Sequence, residues 1–228
     1  MANQILNEFK SFTSLAQTGF KYNLRTFPDT LTGASFLFAL LFQSPPLAAL
    51  TSAIVILNCI YPTFTNFLAD TVVGKSTNTA GGEQCSGRFR GLPGVTFENA
   101  LRGTPTSTTA EYPSYYTMFL GFLIGYIGIL PALYAKELEA SPRRKASTTT
   151  GLVVLSLIVI TGCVYRYLSE CDSFIGIALG LGSGAVIGCV FLLFFAFISD
   201  RRLTNILAFP LIRQKAPDGK PIYVCERK

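Results

Sequence analysis

Long apolar runs alternate with short polar intervals along the chain, and nearly all the charge lies in the intervals. Residues 1–30 are polar with a helical beat. Ile5, Phe9, Phe12 and Ala16 recur on one face with Leu6 and Leu15 beside them, while Lys10 and Gln17 fall elsewhere. The spacing predicts a short amphipathic helix ending near Gly19, lying on a membrane surface or packed on the rest of the protein. From Leu31 to Ala69 there is no charge, but QSPP interrupts the run at 43–46. A proline pair removes backbone donors and clashes with the preceding turn. The run therefore divides into an arm at 33–43, oblique or re-entrant, and a span at 46–68. Two full crossings do not fit, since each needs about 20 residues.

Residues 70–112, rich in Gly, Thr, Ser and Pro, read as an aqueous loop. A second span follows at 113–134, opening with Tyr115 and Tyr116 and closing with Tyr134, as an interfacial belt does. Pro131 is expected to kink its last turn. After the charged connection KELEASPRRK, with Ser141-Pro142 as a helix-start signal, a third span is expected at 147–165. RYLSECD reads as a tight turn, and the fourth span runs from Ser173 to Ser199. In the tail, Pro217-Asp218-Gly219 is a turn signal between LIRQK and PIYVC, which suits a hairpin. The fold class expected is an all-α membrane protein. It is a four-span helical bundle with an N-terminal amphipathic segment (1–30), a proline-broken first membrane segment (31–69), a loop (70–112), three further spans (113–199) and a basic, β-hairpin-like tail (200–228).

Inside the fourth span, Gly176, Gly180, Gly184 and Gly188 recur every four residues. On a helix they form a groove without side chains, which another helix can approach closely. Gly121, Gly125 and Gly128 give the second span a smaller groove. Packing of the fourth span on the second or third within one chain is the favoured use, with a homo-oligomer as the other.

Composition sharpens this picture. Half the 228 residues are apolar and 14% are charged, against about 25% in soluble domains. Histidine is absent, and with it the commonest general base and metal ligand. Histidine-dependent lipid phosphatases and intramembrane serine proteases are thereby excluded, and no CxxC supports a thiol oxidoreductase or zinc site. No enzyme, cofactor or metal is expected. The spans carry no ionisable residue of the kind that marks ion pathways, so a small channel or transporter built from glycine-packed helices is the second reading. Of six cysteines, Cys59, Cys163 and Cys189 lie in apolar runs. Cys85, Cys171 and Cys225 lie outside them, which leaves at most one disulfide there, with Cys85 and Cys171 a candidate pair.

With four spans, both termini share a side with the 136–145 connection. Lys and Arg number 3 in the N-terminal segment, 4 in that connection and 7 in the tail, against 4 in the 70–112 loop and 1 at Arg166. The positive-inside rule puts the richer side in the cytosol. Arg143, Arg144, Lys145, Arg201 and Arg202 lie just outside the spans, where they fix orientation and suit contact with anionic lipid or an acidic partner. No nucleic-acid motif accompanies them.

The phrases CSGRFRGLPGVTFE, PSYYTMFLGFLIGYIGILPALYAKELEASPRRKASTTTG, CDSFIGIALGLGSGAVIG and GKPIYVCERK resemble a membrane-protein family of nucleocytoplasmic large DNA viruses, of the chlorella-virus or phycodnavirus type. The likeness covers residues 83–228. It implies a virion inner-membrane or minor capsid protein beneath an icosahedral shell, made in an endoplasmic-reticulum-derived membrane. The implied partners are the lipid bilayer and other viral capsid or membrane proteins. The resemblance brings no active-site residues with it.

Overall fold

The computed structural model describes residues 19, 21–24, 26–68, 85, 113–139, 142–199 and 201–206, together with the backbone of 212–215 and 221–223. The expected surface helix before Gly19 and the bulk of the 70–112 loop lie outside these residues. The described body is overwhelmingly helical. Four of its helices are long and apolar enough to cross a membrane.

Helix α1 (Phe27–Leu41) starts with Pro28 and Asp29 in its first turn, both suited to a helix N-terminus, and so begins earlier than the apolar pattern suggested. It ends in a Schellman motif. Gln43 takes φ 46°, its N–H bonds Leu40 O, and the Ser44 N–H bonds Ala39 O at 3.2 Å. The next helix opens at once: α2 (Pro45–Leu68) has prolines in its first two positions, where no intrahelical N–H is needed. QSPP is therefore a tight helix–helix turn. Thr51 Oγ1 donates to Ser35 Oγ across the two helices.

Helix α3 (Tyr115–Gly128) is capped by Ser114, and most of its length is buried. The helix is interrupted at Ile129 and goes on as the short helices α4 (Leu130–Leu133) and α5 (Ala135–Glu139), whose Leu130 and Leu138 remain in the core, so that the second span covers Tyr115–Leu133. Pro131, expected to kink one span, instead starts a new helix, because it fits the first turn and cannot bond back to the previous one. Helix α6 (Pro142–Leu168) begins five residues before the expected third span and takes Arg143, Arg144 and Lys145 into its first turn. It ends in a second Schellman motif, with Glu170 at φ 55°, Glu170 N–H to Tyr167 O and Cys171 N–H to Arg166 O. Ser173 then caps α7 (Phe174–Ile198) by accepting from the Gly176 N–H. In the tail, β1 (Ile212–Lys215) and β2 (Pro221–Tyr223) pair antiparallel with an irregularity between Ile212 and Gln214, a pair too short to form a layer of its own.

The core gathers on α3. Phe119, Phe122 and Tyr126 pack with Ile54, Leu57 and Tyr61 of α2 and with Leu192 of α7. Helices α6 and α7 expose large apolar side chains, such as Leu157, Ile160, Val190 and Phe197, along their outer faces. These faces suit lipid contact.

Candidate functional site

Helices α3 and α7 run parallel, with their backbones in contact. A Cβ built on Gly121 or Gly125 would lie 2.8 Å from the Cα of Leu181 or Ala185. In return, a Cβ on Gly184 or Gly188 would lie 2.8 Å from the backbone N of Phe122 or Tyr126, and one on Gly180 would lie 2.9 Å from Thr117 Cβ. Real Cβ atoms do not approach so closely, so all five positions must be glycine for the helices to sit as they do. Cys189 Sγ, on the same helix, reaches Gly125 O at 3.6 Å.

Two glycines of the expected grooves do other things. Gly128 meets nothing nearer than Ile124 Cγ2 of its own helix, at 3.9 Å. The glycine pattern thus outlasts the close backbone approach, although the chain beyond it stays beside α7 through Leu133 and Tyr134. Gly176 is buried and gives its N–H to the Ser173 cap. A glycine outside both grooves is in tight contact: a Cβ on Gly162 of α6 would lie 2.8 Å from Leu120 Cδ1 and 3.1 Å from Tyr116 Oη. Its signal was available in the spacing, since Val159, Gly162 and Arg166 share one helix face and are the buried residues of α6.

A polar clamp closes one end of the bundle. Cys85 and Cys171 are disulfide-bonded, joining the 70–112 region to the α6–α7 turn. Arg166 sits in the last turn of α6, not in the turn beyond it, and is buried. Its Nε donates to Asp172 Oδ2 at 2.7 Å, and its Nη1 donates to Cys85 O at 2.8 Å. The guanidinium also lies 5.4 Å from the centre of the Tyr116 ring. Ser114 Oγ gives Asp172 Oδ2 a second donor at 2.8 Å. The pair is thus desolvated but well supplied with hydrogen bonds, the condition under which a buried ion pair holds. Tyr116 Oη in turn donates to Leu24 O at 2.8 Å. The clamp ties five chain segments together through Leu24, Cys85, Ser114, Arg166 and Asp172.

At the other end, Tyr134 Oη donates to Arg201 O at 2.6 Å and lies 2.8 Å from Thr204 Oγ1. Arg201 Nη1 donates to Leu133 O at 3.2 Å, so this cation helps fasten the end of α7 to α4. Burial raises the Tyr134 pKa and the nearby Glu137 adds to the rise, while the Thr204 hydrogen bond and Arg201 oppose it. The phenol therefore remains a donor at neutral pH. Glu137 is itself buried, and its Oε2 has no hydrogen-bond partner among the described residues. Arg143, Arg144 and Lys145 are exposed in the first turn of α6. Cations there oppose the helix dipole, so helix stability does not explain their position.

Among the described residues no cluster of metal-ligating side chains forms. The helices are those a multi-pass membrane protein requires. No protein-family model, curated protein or solved structure matches the chain.

Proposed function

We propose that this chain is a structural membrane protein of a large DNA virus, embedded in the virion inner membrane and linking the bilayer to capsid proteins. The observation that carries the reading is the way the bundle is locked. A seam of backbone contact runs along α3 and α7, and a disulfide and buried ion pair clamp one end. Such fastening suits a fixed support better than a part that must open and close. The sequence likeness over residues 83–228 supplies the viral setting.

In this reading Arg143, Arg144, Lys145 and Arg202 meet anionic headgroups or acidic partner surfaces on the cytosolic face of an endoplasmic-reticulum-derived membrane. The basic, hairpin-like tail from Ile212 to Lys228 docks on capsid proteins. The chemistry asked of the chain is adhesion and shape, with no catalytic step.

The test is purification of virions followed by quantitative mass spectrometry of the membrane and capsid shells. The protein is expected at a fixed ratio to a capsid component. Its presence only in infected-cell membranes, and never in purified particles, would overturn the proposal. So would solute or ion flux through liposomes holding the purified protein, which would favour the channel reading.

A further inference from the structure

The arm before QSPP bears on where the start of the chain lies. Tyr116 is in the first turn of α3, at the end of the bundle that holds the disulfide and the Arg166–Asp172 pair. Its hydroxyl reaches the carbonyl of Leu24. One turn deeper, Phe27 meets Phe119 edge-to-face at 6.4 Å. The start of α1 is thus at the clamp. The end of α2 is there as well, since Tyr61 Oη donates to Pro113 O and its ring lies 5.2 Å from that of Tyr115. Between these points α1 and α2 form an antiparallel pair, joined at Ser35–Thr51 and turning at Gln43.

We infer that α1 is a fifth traverse of the membrane, so that the chain preceding Leu24 lies on the disulfide side and the tail on the opposite side. The length suits a traverse whose polar end lies at the interface. Helix α1 rises about 22 Å over its 15 residues at 1.5 Å per residue, with Asp29 in its first turn at the clamp end. The hydrogen bond from the Thr26 N–H to Tyr22 O adds a turn at that same polar end. The surface agrees as well. Leu37, Leu40, Leu41 and Phe42 are all more than half exposed near the turn, an arrangement suited to lipid and costly in water. Lys21 is exposed at the clamp end, and no charge occurs from Leu31 to Ala69.

This differs from the expectation of four spans with both termini together. The charge rule survives the change. Moving Lys10, Lys21 and Arg25 across still leaves 4 basic residues in the 136–145 connection and 7 in the tail on the cytosolic side. On the other side are those 3, the 4 of the 70–112 loop, and Arg166, which is neutralised in its ion pair. One chain then offers a segment to each aqueous face, independently of what either segment binds.

The test is protease protection of the full chain in sealed microsomes, with one epitope placed before Met1 and another after Lys228. The expected result is loss of the C-terminal epitope and survival of the N-terminal one, with both lost once detergent opens the vesicles. Survival of the C-terminal epitope alone also supports opposite faces and reverses the charge-derived orientation. Loss of both epitopes in sealed vesicles, or survival of both, overturns the inference. None of these outcomes depends on whether the protein enters virions.

Discussion

On one side of α3, Gly121 and Gly125 lie against the backbone of Leu181 and Ala185; on the other, Tyr115 and Phe119 meet Tyr61 and Phe27 through their rings. Both interfaces belong to the same helix and the same apolar environment, yet they are filled by opposite means. Lipid tails are as apolar as side chains, so burial alone does not drive helices together in a bilayer. The glycine seam gains its attraction from close backbone approach, with no side chain between to adjust. The aromatic seam holds its helices further apart and fills the gap with large rings that can shift. The first interface should fail sharply under small changes, and the second should yield gradually.

The largest effect is expected where the glycine seam is tightest. Gly184→Leu should prevent α3 and α7 from packing, giving aggregated or unfolded protein by size-exclusion chromatography in detergent. Gly182→Leu, at a position with open space around it, should behave as the parent chain. Equal behaviour of the two variants would remove the distinction between the seams.

Next comes the clamp. Arg166→Met leaves Asp172 as an uncompensated buried charge, and a loss of about 3–5 kcal/mol is expected in denaturant titration followed by circular dichroism. Combining it with Asp172→Asn should recover much of that loss, whereas a role for Arg166 in packing alone predicts no recovery. On the aromatic side, Tyr61→Phe keeps the ring and removes the hydrogen bond to Pro113 O, so about 1 kcal/mol is expected in the same titration. The smallest change is at Gly128. Gly128→Ala should be neutral or stabilise by up to about 1 kcal/mol, since the site is open and alanine is the better helix former. A loss there comparable to that of a seam glycine would mean that the interface extends past the end of α3.

Much of this comparison is legible in the chain, though unevenly. The four-residue period puts Gly180, Gly184 and Gly188 on one face whatever that face meets, and Gly121 and Gly125 were named by the same rule. Gly128, three residues on, shares the helical spacing as well, because spacing carries no information about where a partner stops. Arg166 reads as a turn residue in the sequence because it follows an apolar run and precedes a polar stretch. Only the packing of Tyr116, Asp172 and the Cys85 carbonyl around it shows why a charge can be drawn inside a helix end. For the cysteines, the aqueous positions of Cys85 and Cys171 made a pairing available without requiring it. The apolar stretch before QSPP starts the arm at 33, whereas α1 starts at Phe27, because Pro28 and Asp29 suit a helix N-terminus although neither is apolar.

By itself, then, the sequence determined which segments can lie in a bilayer, which residues favour a helix start, and which faces are narrow. These properties depend on local chemistry: apolar length, proline and serine at helix starts, and the helical period. Tertiary structure alone decided that α3 and α7 pair in parallel, that a buried ion pair and a disulfide close one end, and that the first hairpin returns to that end. Each of those outcomes depends on contacts between residues distant in the chain, and in an apolar medium it is shape and hydrogen-bond satisfaction across such contacts that select the partner.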